Sequence, residues 1–346
     1  MRRDFSDLFD TGRPLIALSP MAGFSCVTYR GICHDFGADY APTELTSARS
    51  IVMNGVDRSY RFMRIKPETE GVTCIQLFGN TPEDFTEAMK IICEDELLSR
   101  VDIFDINMGC PVQKVVKTGA GSGLIRTPKL ACNIVTKARE TAEALGKVLT
   151  VKTRIGYDES DKSGPEFARM LAGSGAQAIC VHGRTAKQMY AGKADWEKIR
   201  AMRGATEGTG VYFFGNGDVR DGESARRLLE VTGADGLMIG RAACGNPWIF
   251  SEVKEYLENG SPCNVKDIKK TPSLSEKCDM LITELDGRIE EVGERIAVCE
   301  MRSVMPHYIK GFPGASGIKI ALCRASTRME VRQILDDCLL GKGNGV

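Results

Sequence analysis

Leu149-Thr150-Val151-Lys152-Thr153, Ala178-Ile179-Cys180-Val181, Tyr212-Phe213-Phe214 and Gly236-Leu237-Met238-Ile239 are short apolar runs. They are separated by stretches of helical character, among them Gly164–Gly173 and Gly222–Val231. Runs of this length, rich in β-branched and aromatic residues, read as buried strands. Strands that alternate with helices and lack hairpin turns belong to a parallel sheet covered by helices. The same alternation extends toward the N-terminus through Leu15–Leu18, Tyr40–Thr43, Thr73–Leu77 and Ile103–Asn107, with helices expected at Pro82–Glu94 and Pro128–Leu145. Pro82 and Pro128 stand where a first helical turn tolerates proline, and Thr81 and Thr127 are candidate N-caps. Eight βα units in succession predict a closed TIM (β/α)8 barrel. An open doubly wound sheet would usually need fewer strands and a fingerprint in its first βα turn.

The barrel is expected to end near Trp248–Leu257, consistent with the ~250 residues usual for that fold. Asn259-Gly260-Ser261-Pro262 reads as a linker. Beyond it, Leu274–Arg302 and Arg324–Leu340 have helical periodicity, and Lys310–Gly317 reads as a loop between them. The reading is thus an α/β barrel over 1–257 and a small C-terminal all-helical domain over 265–346.

Hydrophobic residues at 42% and charged residues at 27% exclude a disordered chain, which needs low hydrophobicity and high net charge. No apolar stretch approaches the ~18 residues of a membrane helix. Met1-Arg2-Arg3-Asp4-Phe5 has no apolar core behind its basic pair, so no secretion signal is read, and a cytoplasmic location is expected. The 13 cysteines are odd in number and mostly sit inside apolar runs, as Cys74 and Cys180 do, where they act as small hydrophobes. None has C-x-x-C spacing, and the histidines are scattered at 34, 182 and 307, so no metal site is expected.

Chemistry-bearing residues collect just after the expected strand ends, which share one rim in a barrel. Pro20-Met21-Ala22-Gly23 follows the first strand, Gln76 ends the third, and Gly109-Cys110-Pro111 follows the fourth. Lys152 and Arg154 end the fifth, His182-Gly183-Arg184 the sixth, Asn216-Gly217-Asp218 the seventh, and Gly240-Arg241 the eighth. Gly217 and Gly240 could simply make tight turns. Their pairing on adjacent units with Arg241 favours a phosphate cradled by backbone N–H groups. An ammonium at Lys152 is costly to bury unpaired. A salt-bridged core lysine, a Schiff-base lysine and a cation facing an anionic cofactor remain open. His182 is either a satisfied core histidine or a ligand contact. Cys110 lies between a glycine and a proline rather than in an apolar run. A thiol with an ordinary pKa of about 8.5 is protonated at neutral pH and can donate a proton.

Net charge is zero, yet the charges are segregated. Cys110–Lys129 holds Lys114, Lys117, Arg126 and Lys129 with no acid. Met301–Arg332 holds six basic residues against Glu330, while Lys277–Glu300 holds three basic and seven acidic residues. These are either solvated faces or the footprint of a polyanion lying across the rim.

The motifs resemble those of the tRNA-dihydrouridine synthases, especially the bacterial B-type branch. The resemblance runs over about residues 14–250 and continues more weakly into the tail. Its most specific part is Asp105–Arg126, DINMGCPVQKVVKTGAGSGLIR. Pro20–Gly23, His182–Thr185, Gly215–Asp218, Met238–Arg241 and Gly245–Phe250 follow in the family's order. The resemblance implies an FMN-dependent enzyme that uses NADPH to reduce the C5=C6 bond of uridines in tRNA. It implies that Pro20, Met21, Ala22, Gln76 and Lys152 hold the flavin ring, and that His182, Asn216, Gly217, Asp218, Gly240 and Arg241 hold its ribityl-phosphate end. Cys110 would protonate C5 after hydride reaches C6 from flavin N5, with Lys152 stabilising the anionic reduced ring. An aromatic or arginine contact is expected for the extruded base. Lys114, Lys117, Arg302, His307, Arg324 and Arg328 are the residues expected to meet RNA. Pro306 and the glycine-rich segment 311–317 depart from the family's tail. No protein partner is implied. The alternatives are an FMN barrel acting on a free pyrimidine, like a dihydroorotate dehydrogenase, and a catalytically inactive tRNA-binding barrel.

Overall fold

The computed structural model describes residues 4–259, 272–312 and 314–340. Its strands are β1 (Leu15–Leu18), β2 (Tyr40–Pro42), β3 (Thr46–Ser47), β4 (Val72–Phe78) and β5 (Ile103–Asn107), followed by β6 (Val148–Arg154), β7 (Ala178–His182), β8 (Tyr212–Asn216) and β9 (Gly236–Ile239). All pairings are parallel. β1 pairs with both β2 and β9, and β2 pairs with β4, which closes an eight-stranded barrel. The two-residue β3, absent from the sequence reading, extends the edge of β4 just beyond β2. A strand that short carries no periodicity to detect.

Strand parity divides the core. Ile16, Leu18, Leu237 and Ile239 point outward to the helices, while Leu15, Ala17 and Met238 point into the barrel. Phe5, on a short N-terminal 3-10 helix, plugs the lower end against Tyr40, Tyr212 and Phe214. The inward positions are apolar at the bottom, with Ile103, Val148 and Ala178. Two and four residues further on, the same parity holds Asp105 and Asn107 on β5, Thr150 and Lys152 on β6, and Cys180 and His182 on β7. Polar chemistry is therefore stacked toward the C-terminal rim.

Helices Pro82–Glu94 and Gly164–Gly173 match the sequence reading, and Pro128–Ala144 and Gly222–Thr232 differ from it by one residue at the C-terminal end. Thr81 and Thr127 stand at N-cap positions, but neither side chain caps its helix. Thr81 Oγ1 turns to Asn80 and Thr127 Oγ1 to the Leu124 carbonyl.

The last barrel helix runs from Trp248 to Asn259. Most of the expected linker and the expected domain start at 265 lie outside the described residues. The tail is helical, with three corrections. Leu274–Arg302 is two helices, Leu274–Val292 and Glu294–Met301, broken at Gly293. The periodicity at Arg324–Leu340 begins later, because Ala325 is extended and Thr327 caps a helix over Arg328–Leu339. The expected loop at 310–317 already turns helical at Ala315.

The tail rests on the first βα unit of the barrel. Arg288 donates to the Gly23 carbonyl at 3.3 and 3.2 Å and to Glu284 at 2.6 Å, and Tyr308 Oη donates to the other Glu284 oxygen at 2.6 Å. Glu291 accepts from the Thr28 backbone N–H at 2.8 Å. No helix among the described residues is long and apolar enough to cross a membrane.

Candidate active site

A cleft of about 1490 Å3 opens at the C-terminal rim. Pro20, Met21 and Ala22 line it from the loop after β1. Gln76, Lys152, His182, Asn216, Gly217, Asp218, Gly240 and Arg241 line it from strand ends, and Cys110 joins them from the loop after β5. Every residue expected to hold a cofactor, and the expected acid, thus faces one space. His307 from the tail also lines it, as does Lys310, which the sequence reading did not single out.

Within the cleft, Lys152 Nζ donates to Asn216 Oδ1 at 3.1 Å. It has no carboxylate partner within 4 Å among the described residues, and burial pushes its ammonium down from the ordinary lysine range. Asn216 is held in turn, its Nδ2 donating to the Met238 carbonyl at 2.8 Å and to Ser19 Oγ at 3.1 Å. Of the three readings open for Lys152, the core salt bridge is removed.

Cys110 is partly buried. Burial pushes its thiol up, against a backbone bond from Val112 and the positive charges of Arg154 and Lys152, so the protonated form dominates at neutral pH. The loop that carries it is held from several sides. Arg154 Nε donates to the Gly109 carbonyl at 2.7 Å, and Ser122 N donates to the Cys110 carbonyl at 3.0 Å. Gly121 makes the second bond feasible. Its φ is 57°, and a Cβ there would stand 2.8 Å from the Cys110 oxygen. Asn107 Oδ1 accepts from the Cys110 and Gly109 N–H groups at 2.9 and 3.2 Å.

The turn after Asn216 is cationic. Arg184, only 1% exposed, donates to both oxygens of Asp218 at 2.8 Å, and Arg241 reaches the same carboxylate at 3.1 Å. Two guanidinium groups sharing one carboxylate leave a net positive charge at the rim. Burial alone would raise Asp218, but the Ala194 N–H, Arg184 and Arg241 more than offset it, so the carboxyl lies below its usual range. Gly217 has φ 123°, and a Cβ there would meet Ala194 at 2.9 Å and the His182 ring at 3.1 Å. Only glycine fits that turn. His182 is held neutral by burial and then by Lys152, Arg154, Arg184 and Arg241. Arg184 Nη1 lies 3.4 Å from its Nε2, and a guanidinium only donates, so Nε2 is the acceptor.

The expected RNA contacts divide. Lys114, Lys117 and Arg324 are exposed, and His307 stands at the cleft edge-on to Phe24, with ring centres 5.3 Å apart. Arg302 is engaged with the Ala325 carbonyl at 2.7 and 2.9 Å, and Arg328 with Asp286.

Asn107, Arg154 and Tyr190 line the same cleft; the sequence reading places Arg154 on the rim without a role and singles out neither Asn107 nor Tyr190. Asn107 and Arg154 had a signal, since Arg154 shares strand parity with Lys152 and Asn107 lies opposite Lys152 in the strand register. Tyr190 had none. It is 56% exposed on the long loop after β7, with Arg241 5.4 Å and Arg154 6.0 Å from its ring centre.

The cleft suits an anionic ligand. It has an ammonium with no carboxylate partner among the described residues, a Cβ-free turn with net positive charge beside it, and a protonated thiol. A solved histamine dehydrogenase from Rhizobium sp. 4-9 shares the fold, with a TM-score of 0.51 at 13% identity, covering 79% of this chain and 48% of that one. A probable tRNA-dihydrouridine synthase of Rickettsia conorii is 32% identical over 318 residues, 92% of this chain and 91% of that protein. The tRNA-dihydrouridine synthase B of Proteus vulgaris is 36% identical over 242 residues, 70% of this chain and 71% of that protein. The family model described as dihydrouridine synthase (Dus) matches residues 16–342, and this chain belongs to that family.

Proposed function

We propose that this chain, by its family a flavin-dependent oxidoreductase, reduces the C5=C6 bond of uridines in tRNA, with FMN as its bound cofactor and NADPH as reductant. The observation that carries the reading is the meeting of Cys110, Lys152 and the Gly217–Arg241 end in one cleft. When bound, FMN supplies the hydride that adds to C6 of the uracil.

The chain's own residues supply the rest. Pro20, Met21, Ala22 and Gln76 would hold the ring, with Lys152 placing a positive charge where reduction builds a negative one. His182, Asn216, Gly217 and Gly240 would shape the ribityl-phosphate end. Arg241, aimed by Asp218, would meet the phosphate. Cys110 would release its Sγ proton to C5, and solvent would restore it. Tyr190, flanked by Arg154 and Arg241, is an aromatic surface of the kind an extruded base stacks upon.

His307 and Lys310 bring the tail to the cleft edge, which favours a macromolecular substrate over a free pyrimidine. Lys114, Lys117 and Arg324 are then the cations best placed to meet RNA phosphates, with the helical region from 272 onward as the tRNA-holding part. The test is dihydrouridine formation by FMN-loaded protein with NADPH and tRNA from cells lacking this modification. Product, mapped by mass, would name the uridine. A flavin that NADPH reduces but that yields no dihydrouridine would move the substrate elsewhere, and failure to retain FMN would overturn the cofactor reading.

A further inference from the structure

Asp105 is 2% exposed inside the barrel, and the chemistry proposed above does not use it. Thr150 Oγ1 donates to its Oδ1 at 2.6 Å and Gln76 Nε2 to its Oδ2 at 2.7 Å, so both carboxylate oxygens accept. Gln76, itself 0% exposed, then has its Oε1 left for the next neighbour and accepts from Asn107 Nδ2 at 2.8 Å. Asn107 in turn has its Oδ1 left for the N–H groups of Cys110 and Gly109. The strand register sets up this row, because Gln76 lies opposite Asp105 and Asp105 opposite Thr150 on three adjacent strands.

The two ends of the chain cannot change role. Burial pushes the Asp105 carboxyl up, against the bonds from Thr150 and Gln76 and the charge of Lys152. With both oxygens accepting, the carboxylate only accepts, and a backbone N–H only donates. Two amides stand between them, and each has one orientation that satisfies both of its neighbours. Turning either amide sets N–H against N–H on one side and oxygen against oxygen on the other. All of this is buried, where an unsatisfied polar group is costly.

We infer that Asp105 is a positioning residue whose carboxylate sets, through Gln76 and Asn107, the direction of a buried hydrogen-bond chain that fixes the backbone of Cys110. The inference depends on the proposed function only for its consequence, a thiol held where it can protonate substrate. Arg154 and Ser122 hold the loop by its carbonyls, and Asn107 holds it by its N–H groups.

Reversal of polarity separates direction from mere packing. Asn107→Asp alone puts a carboxylate at both ends of Gln76, so one oxygen–oxygen contact persists whichever way that amide turns. Adding Asp105→Asn makes every pair complementary again with the chain reversed. The amide introduced at 105 donates to Gln76 Oε1 and still accepts from Thr150. Gln76, turned over, donates to the carboxylate at 107, and that carboxylate accepts from Cys110 and Gly109.

The readout is the rate at which iodoacetamide alkylates Cys110 in the full chain, resolved by peptide mass spectrometry with exposed Cys299 as internal reference. It requires neither tRNA nor cofactor, so its failure is distinct from failure of the proposed function. Asn107→Asp should raise the Cys110 rate about tenfold, the opening expected for a buried mismatch, and the double substitution should return it close to the wild-type rate. A double variant as reactive as Asn107→Asp, or a single variant indistinguishable from wild type, would overturn the inference. If Asn107→Asp does not fold, a folded double variant with a protected Cys110 supports the inference, and an unfolded one sinks it.

Discussion

Lys114 and Lys117, on the short helix after β5, are exposed and make no ion pair among the described residues, whereas Arg328 in the tail lies against Asp286 and Arg332 against Asp279 and Asp336. The two basic stretches are alike in composition and differ in what they face. The tail packs Arg328–Leu339 onto Leu274–Val292, the helix that carries much of the acidic stretch, so two of the six cations between 301 and 332 are already paired within the tail itself. Among the described residues, no acid is paired with Lys114 or Lys117 at the barrel rim. Cations near the cleft are either aimed by a carboxylate, as Arg241 is by Asp218, or left unpaired, as Lys152 is. A count of basic residues overstates what a partner can reach. The useful quantity is charge that the fold has not already used.

The largest expected effect tests whether the rim holds the chemistry. Cys110→Ala should lower dihydrouridine formation by about 10²- to 10⁴-fold, the usual weight of a positioned acid, with flavin reduction by NADPH nearly unchanged. Equal losses in both steps would remove the acid role and leave Cys110 as part of the cofactor's seat.

Gly217→Ala asks how rigid the phosphate end is. With φ at 123° and Ala194 2.9 Å away, it should cost about 1–3 kcal/mol in thermal or urea unfolding and weaken FMN retention as well. A variant as stable as wild type would show that this turn can relax in a way the tail's exposed turns could match.

His182 gives the pH dependence. Its folded-state pKa is depressed by burial and neighbouring cations, so below the ordinary value the unfolded chain binds a proton that the folded chain does not. Stability of the cofactor-free protein should therefore fall as pH drops below about 6.5, by about 1.4 kcal/mol one pH unit lower. His182→Gln should remove that part of the slope. The same slope in the variant would assign it to other groups.

The smallest effect sharpens the comparison directly. Lys114→Ala with Lys117→Ala should weaken tRNA binding and flatten its dependence on log salt by about 0.7–0.9 per lysine. Arg324→Ala should act in the same direction. Arg328→Ala should leave the salt slope unchanged and cost no more than about 1 kcal/mol of stability, because its charge is already spent on Asp286. If Arg328→Ala flattened the slope as the lysines do, ion pairing would not be what separates tail from rim.

The barrel was legible because each strand is a short apolar run and each helix has a 3.6-residue pattern, both local properties of the chain. The set of rim residues that line the cleft was legible for a related reason. In a closed parallel barrel every strand ends on the same rim, so a residue's place near a strand end assigns it to the site without any knowledge of contacts. The break at Gly293 and the late start at Arg328 were not legible, since helical periodicity on both sides runs past them. Tyr190 was invisible as well, because a loop carries no period to count.

The sequence by itself determined the order of strands and helices, the parity that turns Lys152, His182 and Asn107 inward, and the glycine at 217 that a positive φ demands. All of these follow from the backbone geometry of single residues and their near neighbours. Only the tertiary structure decided which charges remain available, which way the amides of Gln76 and Asn107 point, and that a carboxylate at Asp105 directs them. Those properties belong to pairs of residues tens to hundreds of positions apart, and a donor finds its acceptor only when the barrel has closed.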